Sequence, residues 1–334
     1  MESEKKNQKV IAFGEVLLRL SPPGCQTIRS AESFDIHIGG AELNVCCALS
    51  CIGLRSSILT TLPDNSLGRR ALAFIESAGV DTSKIRMRKN ARMGLYFLEI
   101  GLSPRPSRVT YDRKESCFAQ EDFEEINWAY ELEGFSHFHT TGITPALSVS
   151  AISAIKEAAC QFREKGISSS VDVNYRSQLW SVESAKQVLH ELTRIFEHLI
   201  VPRFELERIF GLSKDTPEKS ALELLKRFNL CSVAVTSREE VSPGIMKWSA
   251  FALDSSGSYP RVERTAIVAD PIGAGDAFCA GYIKGITERD IALGLKLGCA
   301  MAALKMTLKG DVLLYEAEEI ERISDHEDGS FLIR

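Results

Sequence analysis

The chain has 334 residues, 44% hydrophobic and 25% charged, the balance of an ordinary globular protein with enough apolar material for a large core. Its formal net charge of -5 offers no general attraction to nucleic acid or anionic lipid, which need a basic face. No apolar run reaches the roughly eighteen residues of a membrane span, and the start MESEKKNQKV lacks a secretion signal's apolar stretch, so a cytoplasmic location is expected, with neither nucleic acid nor membrane as partner.

In chain order, KVIAFGEVLLRL reads as one strand, AELNVCCALSCIGL as a helix, SSILTTL as a strand, and SLGRRALAFIESAG as a helix stopped by Gly79. Cysteines 46, 47 and 51 fall in the first helix as small hydrophobes, and the nine cysteines contain no C-x-x-C pair. MGLYFLEIG and SRVTYDRK, interrupted by the prolines of LSPRP, form an antiparallel excursion. Alternation resumes with the strand FSHFHTTGI, whose His137 and His139 share one side and suit strand packing better than metal binding. A helix over SVSAISAIKEAACQFREKG, a strand ISSSVDVN and a helix SVESAKQVLHELTRIF follow. The strands HLIVP and CSVAVTS flank the helix KSALELLKRFN, and the last part is mainly helical from DAFCAGYIKG to DIALGLKLGCAMAALKM. Such alternation implies an α/β fold: a mainly parallel sheet with helices on both faces, plus a small β insertion.

One stretch, VADPIGAGDAFCAGYIKG, carries chemistry. Gly273 and Gly275 lack Cβ atoms, so backbone N-H groups there can approach an anion at the positive end of the following helix. A dinucleotide fingerprint would need glycine where Phe278 stands, and G-x-x-x-x-G-K-[ST] occurs nowhere. A plain turn would explain the glycines and leave Asp276 without a purpose.

DPIGAGDAFCAGYIKG resembles the C-terminal signature of the PfkB (ribokinase-like) sugar kinases, and IGGAELNVCCALSCIG looks like that family's N-terminal signature. GEVLLRLSPPG, MGLYFLEIGLSPRPSRVTYDR, DVNYRSQLW and ALKMTLKGD are further similar to the 2-keto-3-deoxygluconate kinases within it. The resemblance implies one ribokinase-like, doubly wound domain over 1–334, with lid strands near 15–38 and 93–112. It also implies ATP-dependent phosphorylation of 2-keto-3-deoxygluconate to the 6-phosphate. Asp276 would then be the base, and the backbone of Gly273, Ala274 and Gly275 the anion hole. A helix N-terminus is expected to lower the pKa of that carboxylate, so positioning the hydroxyl would matter more than basicity.

By the same resemblance Gly39, Gly40 and Asn44 face the sugar, while Tyr96, Tyr111, Arg113 and Arg176 hold its acidic end, as the fork of a guanidinium suits a carboxylate. Asn174, Thr236, Ser237 and Arg238 belong to the ATP region along with Gly273 and Gly275, and Glu205 reaches Mg²⁺ indirectly. A monovalent cation is left open, and a homodimer through the lid is expected. Three departures stand out: TSREE replaces the family's T-L-G-x-x-G, Pro202 replaces the Asn of N-x-x-E, and Pro271 replaces a threonine. DVNYRSQLW also resembles fructokinase sequences, which keeps a fructokinase or other neutral-sugar kinase in view, and the missing Asn keeps a catalytically weak, sugar-responsive binding protein in view.

Overall fold

The computed structural model describes residues 8–325; most of the N-terminal stretch read for a secretion signal lies outside them. In chain order the strands and helices are β1 (Lys9–Phe13), β2 (Leu17–Ser21), β3 (Asp35–Gly39), α1 (Ala41–Cys51), β4 (Arg55–Pro63), α2 (Ser66–Ser77), β5 (Ile85–Arg88), β6 (Gly94–Glu99), β7 (Arg108–Asp112), α3 (Trp128–Glu131), β8 (His137–Thr141), α4 (Val149–Lys165), β9 (Ser168–Asp172), α5 (Val182–Thr193), β10 (His198–Pro202), α6 (Arg203–Arg208), α7 (Pro217–Phe228), β11 (Ser232–Ser242), β12 (Ile245–Asp254), β13 (Gly257–Ile267), α8 (Ala274–Glu288), α9 (Ile291–Met306) and α10 (Ala317–Asp325).

A nine-stranded sheet runs β13-β12-β11-β10-β9-β8-β1-β4-β5. It is parallel from β11 to β5, and β12 and β13 add an antiparallel edge. The central strands are buried along nearly their whole length because helices cover both faces. Neighbouring residues of one strand feed opposite cores. Leu199 and Val201 pack with Leu189, Leu224 and Phe228, whereas Ile200 packs with Val45, Phe278 and Met301. Among the described residues no helix is long and apolar enough to cross a membrane.

The first apparent strand is two. Gly14 to Val16 break it, so β1 stays in the main sheet while β2 enters a second, four-stranded sheet ordered β3-β2-β6-β7. This is the lid anticipated from the excursion, corrected in one respect: its central pair, β2 and β6, is parallel. The β12–β13 hairpin was not read from the sequence, and β11 runs five residues past Ser237, where CSVAVTS was taken to end.

His137 and His139 are strand-packing residues. Both rings bond the hydroxyl of Ser170 at 2.8 Å, one β-strand away. His198 bonds Ser232 at 2.8 Å, and Ser232 meets Tyr282 at 2.7 Å. Burial keeps all three rings neutral, with His139 pushed down to about 3 and His198 to about 4.

Candidate active site

In an open parallel sheet, ligands collect beyond the carboxyl ends of the strands. A cleft of about 530 Å³ opens there, between the ends of β1, β9 and β10, the N-terminus of α8, and a roof from β6 and β7. Its walls include Glu15, Asn44, Tyr111, Arg176, Thr236 and Asp276.

Asp276 lies in the first turn of α8. The turn is entered through Gly273, left-handed at φ 83, where a Cβ would stand 1.8 Å from the carbonyl oxygen of Asp311. Only glycine fits so close an approach. Asp276 is itself buried, and Asn44 Nδ2 donates to its Oδ2 at 2.7 Å. Burial pushes the Asp276 carboxyl up to about 7, against the bond from Asn44 and the charge of Arg176, with Asp172 adding to the rise. The expectation that a helix N-terminus would dominate is thus corrected: desolvation outweighs it. Asp172, at the end of β9, is likewise raised to about 7 by burial. Within DVNYR this acid carries no role in the sequence assignments; a carboxylate closing a buried strand is the signal that points to it. Beneath the cleft Glu42 accepts bonds from Thr141 N at 2.9 Å and from the hydroxyls of Thr141 and Thr144 at 2.7 Å.

A buried ionic cluster backs the same loop. Arg19, on lid strand β2, pairs with Asp270 at 2.6 Å and Asp311 at 2.7 Å. Asp270 also accepts from Ile272 N and Gly310 N, both at 3.1 Å, so it ties the loop before Gly273 to the segment at Gly310. Burial opposes the charge on Arg19, and Asp311 and Asp270 overcome it, holding the guanidinium above its usual range. Lys305, fully buried, donates to the Leu308 carbonyl at 3.0 Å. Pro271 lies in this braced loop, ahead of the helix, and lines the cleft.

Several expected sugar contacts are engaged elsewhere. The Tyr96 hydroxyl donates to Asp311, so its polar end belongs to the ionic cluster, although the side chain borders the cleft. Nε and Nη2 of Arg113 both bond Glu15, with the Nε bond at 2.8 Å, and Ser116 donates to the same carboxylate. Arg113 also stacks 5.5 Å over Tyr111, which remains on the wall. Gly39 abuts the Asp311 carboxylate rather than the cleft: a Cβ there would fall 2.0 Å from Oδ2. Gly40 does line the cleft, at φ 145 and against the Glu15 carbonyl. Ala274 packs in the core, while Gly273 and Gly275 face the cavity.

The cleft is also lined by Arg176, Thr236, Ser237, Arg238 and Asn174, whose N-H donates to Asp172 at 3.3 Å. Arg176 and Arg238 are exposed to the open cleft. Glu205 is buried and bonds Arg208 through Oε1 at 3.2 Å; its Oε2 has no hydrogen-bond partner. Glu15, Arg19, Asp172, Asp270 and Asp311 were not assigned roles from the sequence.

The model of the pfkB family carbohydrate kinases matches residues 7–317. A 2-dehydro-3-deoxygalactonokinase of Haloferax volcanii is 32% identical over 317 residues, covering 94% of this chain and 96% of that protein. The crystal structure of a 2-dehydro-3-deoxygluconokinase from Thermotoga maritima superposes with a TM-score of 0.90 at 34% identity, over 96% of this chain and all of the other. An Escherichia coli protein solved with ATP and Mg²⁺ shares the fold, with a TM-score of 0.81 at 20% identity, over 95% of this chain and 99% of that one.

Proposed function

Since the chain belongs to the pfkB family of carbohydrate kinases, we propose that it transfers the γ-phosphoryl group of ATP to the 6-hydroxyl of 2-keto-3-deoxygluconate. The observation that carries this reading is Asp276: buried in the cleft, raised to about 7, and tethered through one oxygen to Asn44. Its other oxygen is left to receive the hydroxyl proton. A base with a pKa near the working pH is well matched to that task. The sugar oxygen bonds to phosphorus, the bond to the bridging oxygen breaks, the proton passes to Asp276, and ADP leaves. Backbone N-H groups at Gly273, Ala274 and Gly275, aided by the α8 dipole, stabilise the transferring charge. Asn44, assigned to the sugar from the sequence, acts on the base in this reading.

ATP enters along Thr236, Ser237, Arg238 and Asn174. Mg²⁺ is held by one or two protein carboxylates together with substrate phosphates in sites of this kind, often through water. The buried, unpartnered Oε2 of Glu205 fits that role, despite Pro202 replacing the family's asparagine. The ion supplies neutralisation of phosphate charge when bound. The lid excludes water that would otherwise consume ATP. Among the described residues its edge strands β3 and β7 each have one side without a strand partner and Ile36 is 42% exposed, which supports a homodimer joined through the lid; sedimentation as a strict monomer at micromolar concentration would contradict it.

Arg176 is the cation that meets the sugar's carboxylate, because Arg113 is committed to Glu15. That same commitment favours a second reading, a neutral-sugar kinase such as a fructokinase, since one of two expected carboxylate readers is already paired. ADP release measured over 2-keto-3-deoxygluconate, its galactonate epimer, fructose, ribose and a nucleoside separates the two. The expected result is a preference for the sugar acids of roughly 10- to 100-fold in kcat/KM, the worth of one charge-assisted contact, erased in Arg176→Met. Turnover confined to neutral sugars would overturn the acid assignment. No turnover on any would favour a sugar-binding protein.

A further inference from the structure

The segment TSREE lacks the glycines of T-L-G-x-x-G, and the structure shows where it leads. Strand β11 does not turn at Ser237. It continues, with Thr236 opposite Ala250 and Arg238 opposite Trp248 on β12. Residues directly opposite in an antiparallel pair share one face, with Cβ atoms about 5 Å apart. Trp248 is buried against Phe278 of α8, and its Cη2 lies 3.9 Å from where a Cβ on Gly275 would stand. The register therefore places Arg238 near the α8 N-terminus, on the wall of the cleft.

Nothing within the described residues gives Arg238 an ion pair or hydrogen bond. Glu239 points to the opposite face and pairs with Lys247 at 3.4 Å, and Glu240 accepts from Gly244 N at 3.2 Å. A cation on the cleft wall without a carboxylate, beside a helix N-terminus, is placed to meet an anion of the ligand. Its place decides which one. Tyr111 belongs to lid strand β7 and Arg113, just after it, pairs with Glu15, whereas Arg238 lies with Thr236 and Ser237 on β11 and also borders a second hollow of about 650 Å³ beside Arg203, Lys214 and Pro217.

We infer that Arg238 is a catalytic residue that grips the β-phosphate of ATP as it departs. The inference rests on the sugar-kinase reading proposed above. When the bond between the γ-phosphorus and the bridging oxygen breaks, that oxygen keeps the electron pair and the β-phosphate gains a negative charge. A guanidinium there binds the transition state and ADP more tightly than ATP in its ground state.

Two variants test this, Arg238→Met and Arg238→Lys, each by steady-state kinetics and by thermal shift with ADP or AMP. Arg238→Met should lower kcat by roughly 100-fold or more, as loss of a charge-stabilising donor does. It should leave the sugar KM unchanged and weaken ADP binding about tenfold relative to AMP, the order of one charge-assisted contact. Arg238→Lys should recover part of kcat. An unchanged kcat, a raised sugar KM in its place, or equal weakening of ADP and AMP would each overturn the inference. If the parent protein turns over no sugar, the kinase reading fails, and the ADP/AMP comparison still decides whether Arg238 meets the β-phosphate.

Discussion

Asp276→Asn lowers turnover by roughly three orders of magnitude, the scale of removing a positioned general base, while ATP affinity stays within a few fold. Asparagine keeps the size of the side chain and removes its ability to take a proton. The pH dependence follows from the same geometry. Burial raises Asp276 to about 7, so below that pH the carboxyl is protonated and turnover falls as pH falls. Asp172 is raised to about 7 nearby, so the apparent pKa belongs to the pair. Asn44→Ala removes the bond that favours the ionised form of Asp276 and moves the acid limb to higher pH. Near-normal turnover in Asp276→Asn, or a profile flat between pH 6 and 8 in the parent protein, would remove Asp276 from the mechanism.

Arg19→Met costs about 3–5 kcal/mol of stability, as expected when one partner of a buried ion cluster is removed and the others keep their charge. Asp270 and Asp311 would be left in the interior with Lys305 as the remaining nearby cation, and burial already lowers the Lys305 pKa. The effect reaches the site because Asp270 holds the backbone of Ile272 and Gly310, and Asp311 packs on Gly273. Turnover falls with stability in Arg19→Met. Arg19→Lys, which keeps a positive charge, and the double variant Arg19→Met/Asp311→Asn, which removes one acid with the base, both recover part of the loss. Urea unfolding measures it; a change below about 1 kcal/mol in Arg19→Met would show that the cluster does not brace the loop.

The alternating strands and helices were legible because period-2 and period-3.6 patterns are local. So was the turn into α8 that carries Asp276 to the cleft, since GAGD combines a close backbone approach, a helix start and an acid within a few residues. The relations that organise the cleft are not local. Asn44 and Asp276 are 232 residues apart and Arg113 and Glu15 are 98 apart, so no local pattern shows that Asn44 and Arg113, placed at the sugar by resemblance, bond these carboxylates. The β12–β13 hairpin was hidden for another reason: β12 has six consecutive buried residues, Trp248–Leu253, and β13 is a largely exposed, charged edge containing Pro260, so neither alternates cleanly. The split of β1 from β2 at Gly14–Val16 was invisible because apolar residues continue through both, each facing a different sheet.

The central claim is phosphoryl transfer from ATP to the terminal hydroxyl of a sugar acid in the Asp276 cleft. Phosphorus NMR of the protein incubated with ATP, Mg²⁺ and 2-keto-3-deoxygluconate tests it most directly. The expected result is that the γ signal is replaced, in equal amount with ADP, by a phosphomonoester coupled to the two protons on C6. Inorganic phosphate as the sole new product, or unchanged ATP, would contradict it.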